Sequence, residues 1–412
     1  MSIVKIPSRT FIVGAGVSAE CGAPTLADFL QPKYIDSVTK QWLVDLNRLT
    51  SVVYTKSASP NIEMILSIVD YALARKENIA DLGQDDLMMI RSSILNIITE
   101  ILIQADFNLR KQLGLDACFS DPYVDLGKKC KSFDREVLNP TDPLCKLQFD
   151  DPTRDISGVA SGYRDTYFKL VRCLNSGEHI ISLNYDLFLD YALESQEFYY
   201  RNTTDEESPL RASPTYGVKC HGLPEVLAVS EGKHWVRTLG GFSVKQSDPD
   251  LKIGVLKIHG ALNLGVCSSC KEPIMTGVLP VSSAMSYLAK LPYNLSACCS
   301  DCAPRMLIVP PSWSKDYTSH VLEDISRAAI KAISCSDEIV FLGYSFAESD
   351  YQIRYMFNRG LAYRRGRPWD KVVVVDPLVE RTSITYEKFF GKIEARKEKA
   401  SDYIRTLDTR WL

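Results

Sequence analysis

Residues Phe11-Ile12-Val13-Gly14-Ala15-Gly16-Val17-Ser18-Ala19-Glu20-Cys21-Gly22 indicate the fold class of this chain. Three apolar residues run into two closely spaced glycines, which is the pattern of a buried strand, a tight turn and the start of a helix. Glycines allow the backbone to approach a phosphate closely. We therefore interpret Gly14, Ala15, Gly16 and Ser18 as a candidate phosphate-binding turn. An ordinary strand-to-helix turn also explains these glycines. The usual three-glycine fingerprint is not matched, since the next glycine, Gly22, lies later than that pattern requires.

Short apolar runs on either side of this stretch have the character of buried parallel strands. Besides Thr10 to Val13, they are His179 to Leu183, Gly254 to Ile258, Met306 to Val309, Glu338 to Leu342 and Lys371 to Val375. Helical periodicity covers Asn61 to Ala74, Leu87 to Ala105 and Ser319 to Ile333. Strands that alternate with helices predict an α/β fold with a doubly wound, Rossmann-like parallel sheet.

Two regions interrupt this alternation. Residues 106–162 are polar and contain scattered Asp-Pro turns, which predicts a partly helical insertion. Residues 261–305 contain paired cysteines and are expected to form a small zinc-binding lobe. We treat residues 1–412 as a single domain that includes both regions, and we expect a charged helix after Pro377.

The composition excludes several classes of protein. With 45% apolar residues, 24% charged residues and a net charge of −3, the chain is not a bulk electrostatic binder of nucleic acid. The arginine-rich run Tyr363 to Arg367 is either a local basic patch or a solvated loop. No run approaches the roughly 18 apolar residues of a membrane span, and Phe11 to Val13 is too short for the core of a signal peptide. We expect a cytoplasmic protein without membrane association or direct nucleic-acid binding.

Polar residues follow two of the predicted strands directly. Asn184 and Asp186 follow one strand, and His259 follows another. Ligands of open α/β sheets bind at the carboxyl ends of the strands, and an imidazole titrates near neutral pH. We therefore predict that Asn184, Asp186 and His259 form the catalytic site, although Asn184 and Asp186 can equally be turn formers and His259 a structural hydrogen-bonding residue.

The paired cysteines have the spacing of zinc ligands. Cys267 and Cys270 form one C-x-x-C pair, and Cys299 and Cys302 form a second. Two such pairs predict a structural zinc site, because four thiolates leave no open coordination position. The stretch between the pairs is longer than the usual ~15–20 residues, and Cys298 is an alternative to Cys299.

Two later strands also end in polar turns. Gly343 and Ser345 follow one, and Asp376 follows the other. These residues are candidates to close over the ribose or the adenine of a dinucleotide. Ordinary turns at strand ends explain them equally well.

These elements, in this order, resemble the sirtuin family. Gly14 to Ser18 resembles its glycine-rich NAD loop, and Leu183-Asn184-Tyr185-Asp186 resembles its Asn-x-Asp motif. His259-Gly260 resembles its catalytic His-Gly, which a zinc pair follows closely. Gly343-Tyr344-Ser345 resembles its Gly-x-Ser turn, and Asp376 stands where an Asn or Asp ends the next strand. The resemblance implies NAD as substrate, structural Zn²⁺, a ribose- and water-binding role for Asn184 and a catalytic role for His259.

One departure favours hydrolysis over deacylation. Deacylating sirtuins follow the glycine loop with Ile-Pro-Asp-Phe-Arg, whereas here Gly22 precedes Ala23-Pro24-Thr25-Leu26. The sequence is more similar to the divergent sirtuin-like NADases of bacterial antiphage defence. That similarity implies an NAD⁺ glycohydrolase that depletes NAD, a homo-oligomer, and a partner ATPase, helicase-like or Argonaute-related protein. The alternatives are an NAD-dependent protein deacylase and a non-catalytic sensor of NAD or ADP-ribose.

Overall fold

The architecture is taken from a computed structural model of the chain. It describes residues 8–25, 27–36, 38–55, 61–113, 159–175, 177–193, 217–218, 221–230, 233–239, 254–276, 299, 304–312, 319–348 and 350–408.

A parallel sheet of six strands forms the centre of the fold. Its strands, in spatial order, are β5 (Gly254–Lys257), β2 (His179–Ser182), β1 (Arg9–Val13), β9 (Glu338–Leu342), β10 (Lys371–Val375) and β11 (Glu394–Arg396). In chain order these are the third, second, first, fourth, fifth and sixth strands of the sheet, which is the order of a doubly wound dinucleotide-binding sheet. The predicted fold class is confirmed.

The strand sequences explain why this sheet lies in the middle of the core. β1 is buried along its whole length, and the four valines of β10 are buried as well. Strands covered on both faces are continuously apolar rather than alternating. β1 pairs with β2 on one side and with β9 on the other, so that Val13 lies between Ser182 and Leu342 at the carboxyl edge.

Helices precede, follow and connect these strands. They are α1 (Ala15–Glu20), α2 (Pro32–Ile35), α3 (Lys40–Val53), α4 (Ile62–Arg75), α5 (Gln84–Leu113), α6 (Val159–Tyr163), a π-helix (Arg164–Phe168), α7 (Lys169–Arg172), α8 (His320–Cys335), α9 (Tyr351–Tyr363), α10 (Val379–Phe390) and α11 (Ala400–Asp408). The three predicted helical segments are confirmed as parts of α4, α5 and α8. Asn61 caps α4 by accepting a hydrogen bond from the backbone of Met64 at 2.8 Å.

A second sheet of five strands lies after β2 in the sequence. It contains β3 (His221–Ser230), β4 (Lys233–Leu239), β6 (Gly260–Cys267), β7 (Pro273–Met275) and β8 (Pro304–Ile308), in the order β4-β3-β7-β6-β8. The expectation that Met306 to Val309 belongs to the parallel sheet is wrong, because Met306 to Ile308 are part of β8, which pairs antiparallel with β6. The residues of β8 are only partly buried, and a short apolar run does not specify its partner strand.

The C-terminal region also differs from the expected single helix. α10 ends at Phe390 and is followed by Gly391, whose φ of +76° is a left-handed conformation that favours glycine. The chain then adds β11 to the sheet and continues into α11. A strand of three residues is too short to give a periodic signal in the sequence.

The two predicted inserted regions are partly described. Residues 106–113 are the last two turns of α5, and residues 114–158 lie outside the described residues. The region 261–305 contributes β6 and β7 and the start of β8, while residues 277–298 and 300–303 are not described. Among the described helices, none has the length and the apolar composition needed to cross a membrane.

Candidate active site at the carboxyl edge of the parallel sheet

Two glycine turns cross at the point where the strand order reverses. The backbone N–H groups of Gly14 and Gly16 donate to the carbonyls of Leu342 and Gly343, at 3.0 and 2.9 Å. A Cβ atom on Gly14 would lie 2.6 Å from the carbonyl oxygen of Gly343, and one on Gly16 would lie 2.8 Å from its Cα. Both glycines therefore permit a close backbone crossing, which is a packing role that the sequence pattern did not distinguish from phosphate binding.

The side-chain amide of Asn184 joins the end of β2 to this turn. Its Nδ2 atom lies 2.9 Å from the carbonyl oxygen of Gly14, 2.8 Å from Ser18 Oγ and 3.0 Å from Tyr167 Oη. All of these groups are buried. Its amide oxygen accepts no hydrogen bond from the part of the chain that the structure describes, so this oxygen is able to accept one from a ligand hydroxyl or a water molecule.

Ser18 lies beneath the turn and connects Asn184 to Asp186. Its hydroxyl donates to Asp186 Oδ2 at 2.6 Å and lies 2.6 Å from Tyr167 Oη. The other oxygen of Asp186 accepts the backbone N–H of Phe188 at 3.2 Å. Burial raises the pKa of the Asp186 carboxyl, against the hydrogen bond from Ser18 and the charge of Lys257, which lower it. Ser18 thus links the Asn184 amide to the Asp186 carboxyl in the interior of the protein.

Tyr167 is a further member of this cluster and was not predicted from the sequence. It lies in the π-helix between α6 and α7, and helices of this kind are frequent at functional sites. Burial raises the pKa of its phenol well above the usual value, and the neighbouring Asp186 adds to this effect. The hydroxyl is therefore protonated and serves as a fixed hydrogen-bonding group. Only tertiary packing brings it to the site, so no local pattern signals it.

His259 follows β5, next to the end of β2. Its Nδ1 atom lies 3.2 Å from the carbonyl oxygen of Leu183, the residue before Asn184. Since a carbonyl oxygen only accepts hydrogen bonds, Nδ1 carries a proton and is the donor of this contact. The structure therefore places an imidazole, oriented through its Nδ1 atom, next to the Asn184 cluster.

A buried ion pair supports the segment that carries Asn184. Lys257 Nζ lies 2.5 Å from Asp190 Oδ2 and donates to the backbone carbonyl of Asp186 at 2.9 Å. Asn263 of β6 donates to the other oxygen of Asp190 at 2.9 Å. None of these three residues was predicted from the sequence, because a lysine in an apolar strand gives no indication of its partner.

The later candidates lie outside this cluster of hydrogen bonds. Gly343 forms the glycine crossing and has a φ of +57°. Ser345 is exposed, and its side chain makes no hydrogen bond with the described residues. Asp376 is half-buried, and its Oδ1 accepts the backbone N–H of Leu378 at 2.6 Å, which forms a turn at the end of β10. The predicted contacts of Ser345 and Asp376 with a dinucleotide stay predictions.

Three of the predicted zinc ligands meet at the end of β6, beside the second sheet. The Sγ atoms of Cys267, Cys270 and Cys299 all lie within 4.8 Å of one another, and those of Cys267 and Cys299 are 3.7 Å apart. Thiolates about 2.3 Å from a tetrahedral zinc ion are separated by roughly 3.8 Å, so this triad fits the metal. Cys302 and Cys298, the remaining candidates, lie outside the described residues.

Comparisons with known proteins find structural similarity only. No family model and no curated protein sequence matches the chain. A mutant Sir2 homologue in complex with 2′-O-acetyl ADP-ribose matches at 12% identity and a TM-score of 0.37, covering 98% of this chain and 91% of that chain. A Sir2 homologue in complex with NAD matches at 12% identity and a TM-score of 0.32, covering 98% and 88%. Sir2Tm bound to a propionylated peptide matches at 12% identity and a TM-score of 0.33, covering 98% and 93%.

Proposed function

We propose that the chain binds NAD at the carboxyl edge of the parallel sheet and hydrolyses its nicotinamide–ribose bond. The observation that carries this proposal is the contact of His259 Nδ1 with the Leu183 carbonyl, which leaves Nε2 as a base beside Asn184. The strand order supports the choice of a dinucleotide, because such sheets bind dinucleotides where the order reverses. That point is the crossing of the turns at Gly14 and Gly343.

The reaction needs one base and a site that holds the ribose. Nicotinamide leaves with the electron pair of its bond to ribose C1′, which produces an oxocarbenium-like ribose. A water molecule forms the new bond to C1′ and gives its proton to His259 Nε2. The products are nicotinamide, ADP-ribose and a proton. Fixing the water and the ribose together replaces an encounter in solution by a reaction between oriented groups.

The remaining candidate residues have supporting roles in this proposal. The turn of Gly14, Ala15 and Gly16 holds the diphosphate, and Ser18 supports it from beneath. The amide oxygen of Asn184 accepts a hydrogen bond from the ribose or the water, and Asp186 maintains the orientation of Ser18. Three residues of the later turns close over the ribose or the adenine: Gly343, Ser345 and Asp376.

We propose that the cysteine triad holds a structural zinc ion. Cys267, Cys270 and Cys299 supply three thiolates, and Cys302 or Cys298 supplies the fourth. Zinc bound in this way crosslinks the end of β6 to the segment that precedes β8 and supplies no chemistry to the reaction.

Product analysis separates hydrolysis from the two alternatives. The purified protein is incubated with NAD, with and without an acetylated peptide, over a range of protein concentrations, and nicotinamide and ADP-ribose are quantified. Hydrolysis predicts equal amounts of both products without peptide. Nicotinamide release only with peptide, accompanied by an acetylated ADP-ribose, indicates a deacylase. NAD binding without turnover at any concentration indicates a sensor.

The biological setting follows from the same proposal. A hydrolase that depletes NAD must be held inactive until needed, so we propose a cytoplasmic effector of antiphage defence that is controlled by self-association or by a partner ATPase, helicase-like or Argonaute-related protein. The concentration series tests this control. A specific activity that rises with protein concentration supports activation by self-association, and a constant specific activity contradicts it.

A further inference from the structure

Lys257 carries a charge in the interior of the protein, close to the candidate site. Its side chain is 2% exposed, and that of its partner Asp190 is fully buried. Desolvating two charges costs free energy that their attraction alone often fails to recover, so a buried pair is weak evidence for a stabilising role. The position of this pair indicates what it does instead.

The pair belongs to a set of contacts that hold the two sides of the site together. Three backbone carbonyls around Asn184 face or accept hydrogen bonds from the segment that contains His259. The carbonyl of Leu183 faces His259 Nδ1, that of Tyr185 accepts from Leu262 N at 2.9 Å, and that of Asp186 accepts from Lys257 Nζ. Asn184 is therefore held on both sides by the same segment.

Lys257 and Asp190 make this set rigid. The ammonium group bridges the Asp186 carbonyl and the Asp190 carboxylate, whose second oxygen is held by Asn263. The ammonium group, fixed by these two acceptors, transmits the position of β5 to the residues after β2. Without the ammonium group, the Asp186 carbonyl loses its hydrogen-bond donor, and the distance between Asn184 and His259 is less well defined.

We infer that Lys257 and Asp190 are positioning residues that fix the distance between Asn184 and His259. This inference rests on the proposed NAD hydrolysis. The pair is therefore expected to affect the rate at which bound NAD reacts and to have only a small effect on NAD binding. The glycine turn that is proposed to bind the diphosphate follows a different strand, β1.

The first test compares Lys257→Met with a matched variant at the other end of the sheet. Arg9 and Glu178 form a second buried ion pair, with both side chains 2% exposed, at the amino end of β1. For Lys257→Met we expect kcat for nicotinamide release to fall about 10- to 100-fold, with KM within about threefold of the wild type. For Arg9→Met we expect a similar loss of thermal stability with kcat within about twofold.

The second test separates positioning from stability. The double variant Lys257→Met/Asp190→Leu removes both buried charges, so its melting temperature should return toward the wild-type value. Its kcat should remain as low as that of Lys257→Met. Recovery of kcat together with the melting temperature would overturn the inference, as would an equal loss of kcat in Arg9→Met. The double variant decides the question if Lys257→Met does not fold. A wild-type protein that releases no nicotinamide at any concentration instead refutes the proposed function.

Discussion

Asp186 lies at the base of the candidate site, with both carboxyl oxygens held by hydrogen bonds. One accepts from the Ser18 hydroxyl and the other from the backbone of Phe188. Burial nevertheless raises its pKa, so the ionised form costs more in the folded protein than in the unfolded chain. The carboxyl group therefore fixes the Ser18 hydroxyl within the Asn184 cluster, while its ionisation lowers the free energy of unfolding near neutral pH.

This cost predicts a pH dependence that one substitution removes. A carboxyl whose folded pKa is raised binds more protons in the folded state than in the unfolded state between the two pKa values. Stability then falls as pH rises from the usual pKa of Asp toward the raised value, by up to about 1.4 kcal/mol for each pH unit. Urea unfolding of wild type and Asp186→Asn across this range should show a smaller fall in the variant. Parallel pH profiles would contradict the assignment.

At this scale the sequence identifies the residues that follow strands and misses those that support them. Asn184 and His259 were predicted because the carboxyl ends of parallel strands meet at one edge. Tyr167, Lys257 and Asp190 were not, because their roles depend on contacts between residues far apart in the chain. The hydroxyl of Tyr167 reaches Ser18 across 149 positions, and no local pattern carries that information.

Among the elements, the crossing of the β1–α1 and β9–α9 turns defines the carboxyl edge of the sheet. Gly343 has a left-handed backbone, and a Cβ atom there would lie 2.7 Å from the backbone nitrogen of Val17. Gly366 also has a positive φ, of +76°, but a Cβ atom there would meet nothing within 4 Å. The two glycines form a matched pair that separates backbone strain from steric contact.

Replacing each of these glycines by alanine should give different losses of stability. Gly366→Ala carries only the cost of a left-handed alanine, about 1–2 kcal/mol. Gly343→Ala carries that cost and also the displacement of the Gly16–Val17 backbone, which adds about 1–3 kcal/mol. The free energy of unfolding in urea measures both variants. Equal losses would show that the crossing is looser than the structure describes.

The elements also show where periodicity is informative. α4, α5 and α8 were predicted from their apolar faces, and so were the five long strands of the parallel sheet. β8 was assigned to the wrong sheet and β11 was not predicted, because a short run of residues does not specify the strand with which it pairs. The arginine-rich run at the end of α9 is partly structural, since Arg364 donates to the backbone carbonyls of Ser334, Ser336, Arg367 and Pro368.

In the whole molecule, the second sheet continues directly from the strand that delivers His259. β6 begins at Gly260, contributes Asn263 to the Asp190 carboxylate and ends at Cys267. A metal bound by the cysteine triad therefore stabilises the strand that follows the proposed base. The pairing of strands within the two sheets could not be predicted from the sequence, whereas the zinc-ligand spacing was evident from the two C-x-x-C pairs.

Metal analysis tests the proposed zinc site. The purified protein should contain zinc at close to one equivalent, and Cys267→Ser should lose it because a serine hydroxyl does not replace a buried thiolate ligand. Its apparent melting temperature should fall by more than about 5 °C, since losses of 1 kcal/mol shift larger domains by about 2–4 °C. Cys335→Ser, at an exposed cysteine at the end of α8, is the control and should keep both values. Zinc retained in Cys267→Ser would refute the site.

The most direct test of the proposed activity measures nicotinamide release from NAD by three variants at a protein concentration at which the wild type is active. His259→Ala removes the proposed base and Asn184→Ala removes the amide, and each should lower kcat by at least about 100-fold while the far-UV circular dichroism spectrum stays unchanged. His320→Ala, at an exposed histidine at the start of α8, should retain wild-type activity. Near-wild-type hydrolysis by His259→Ala and Asn184→Ala would contradict the proposed site.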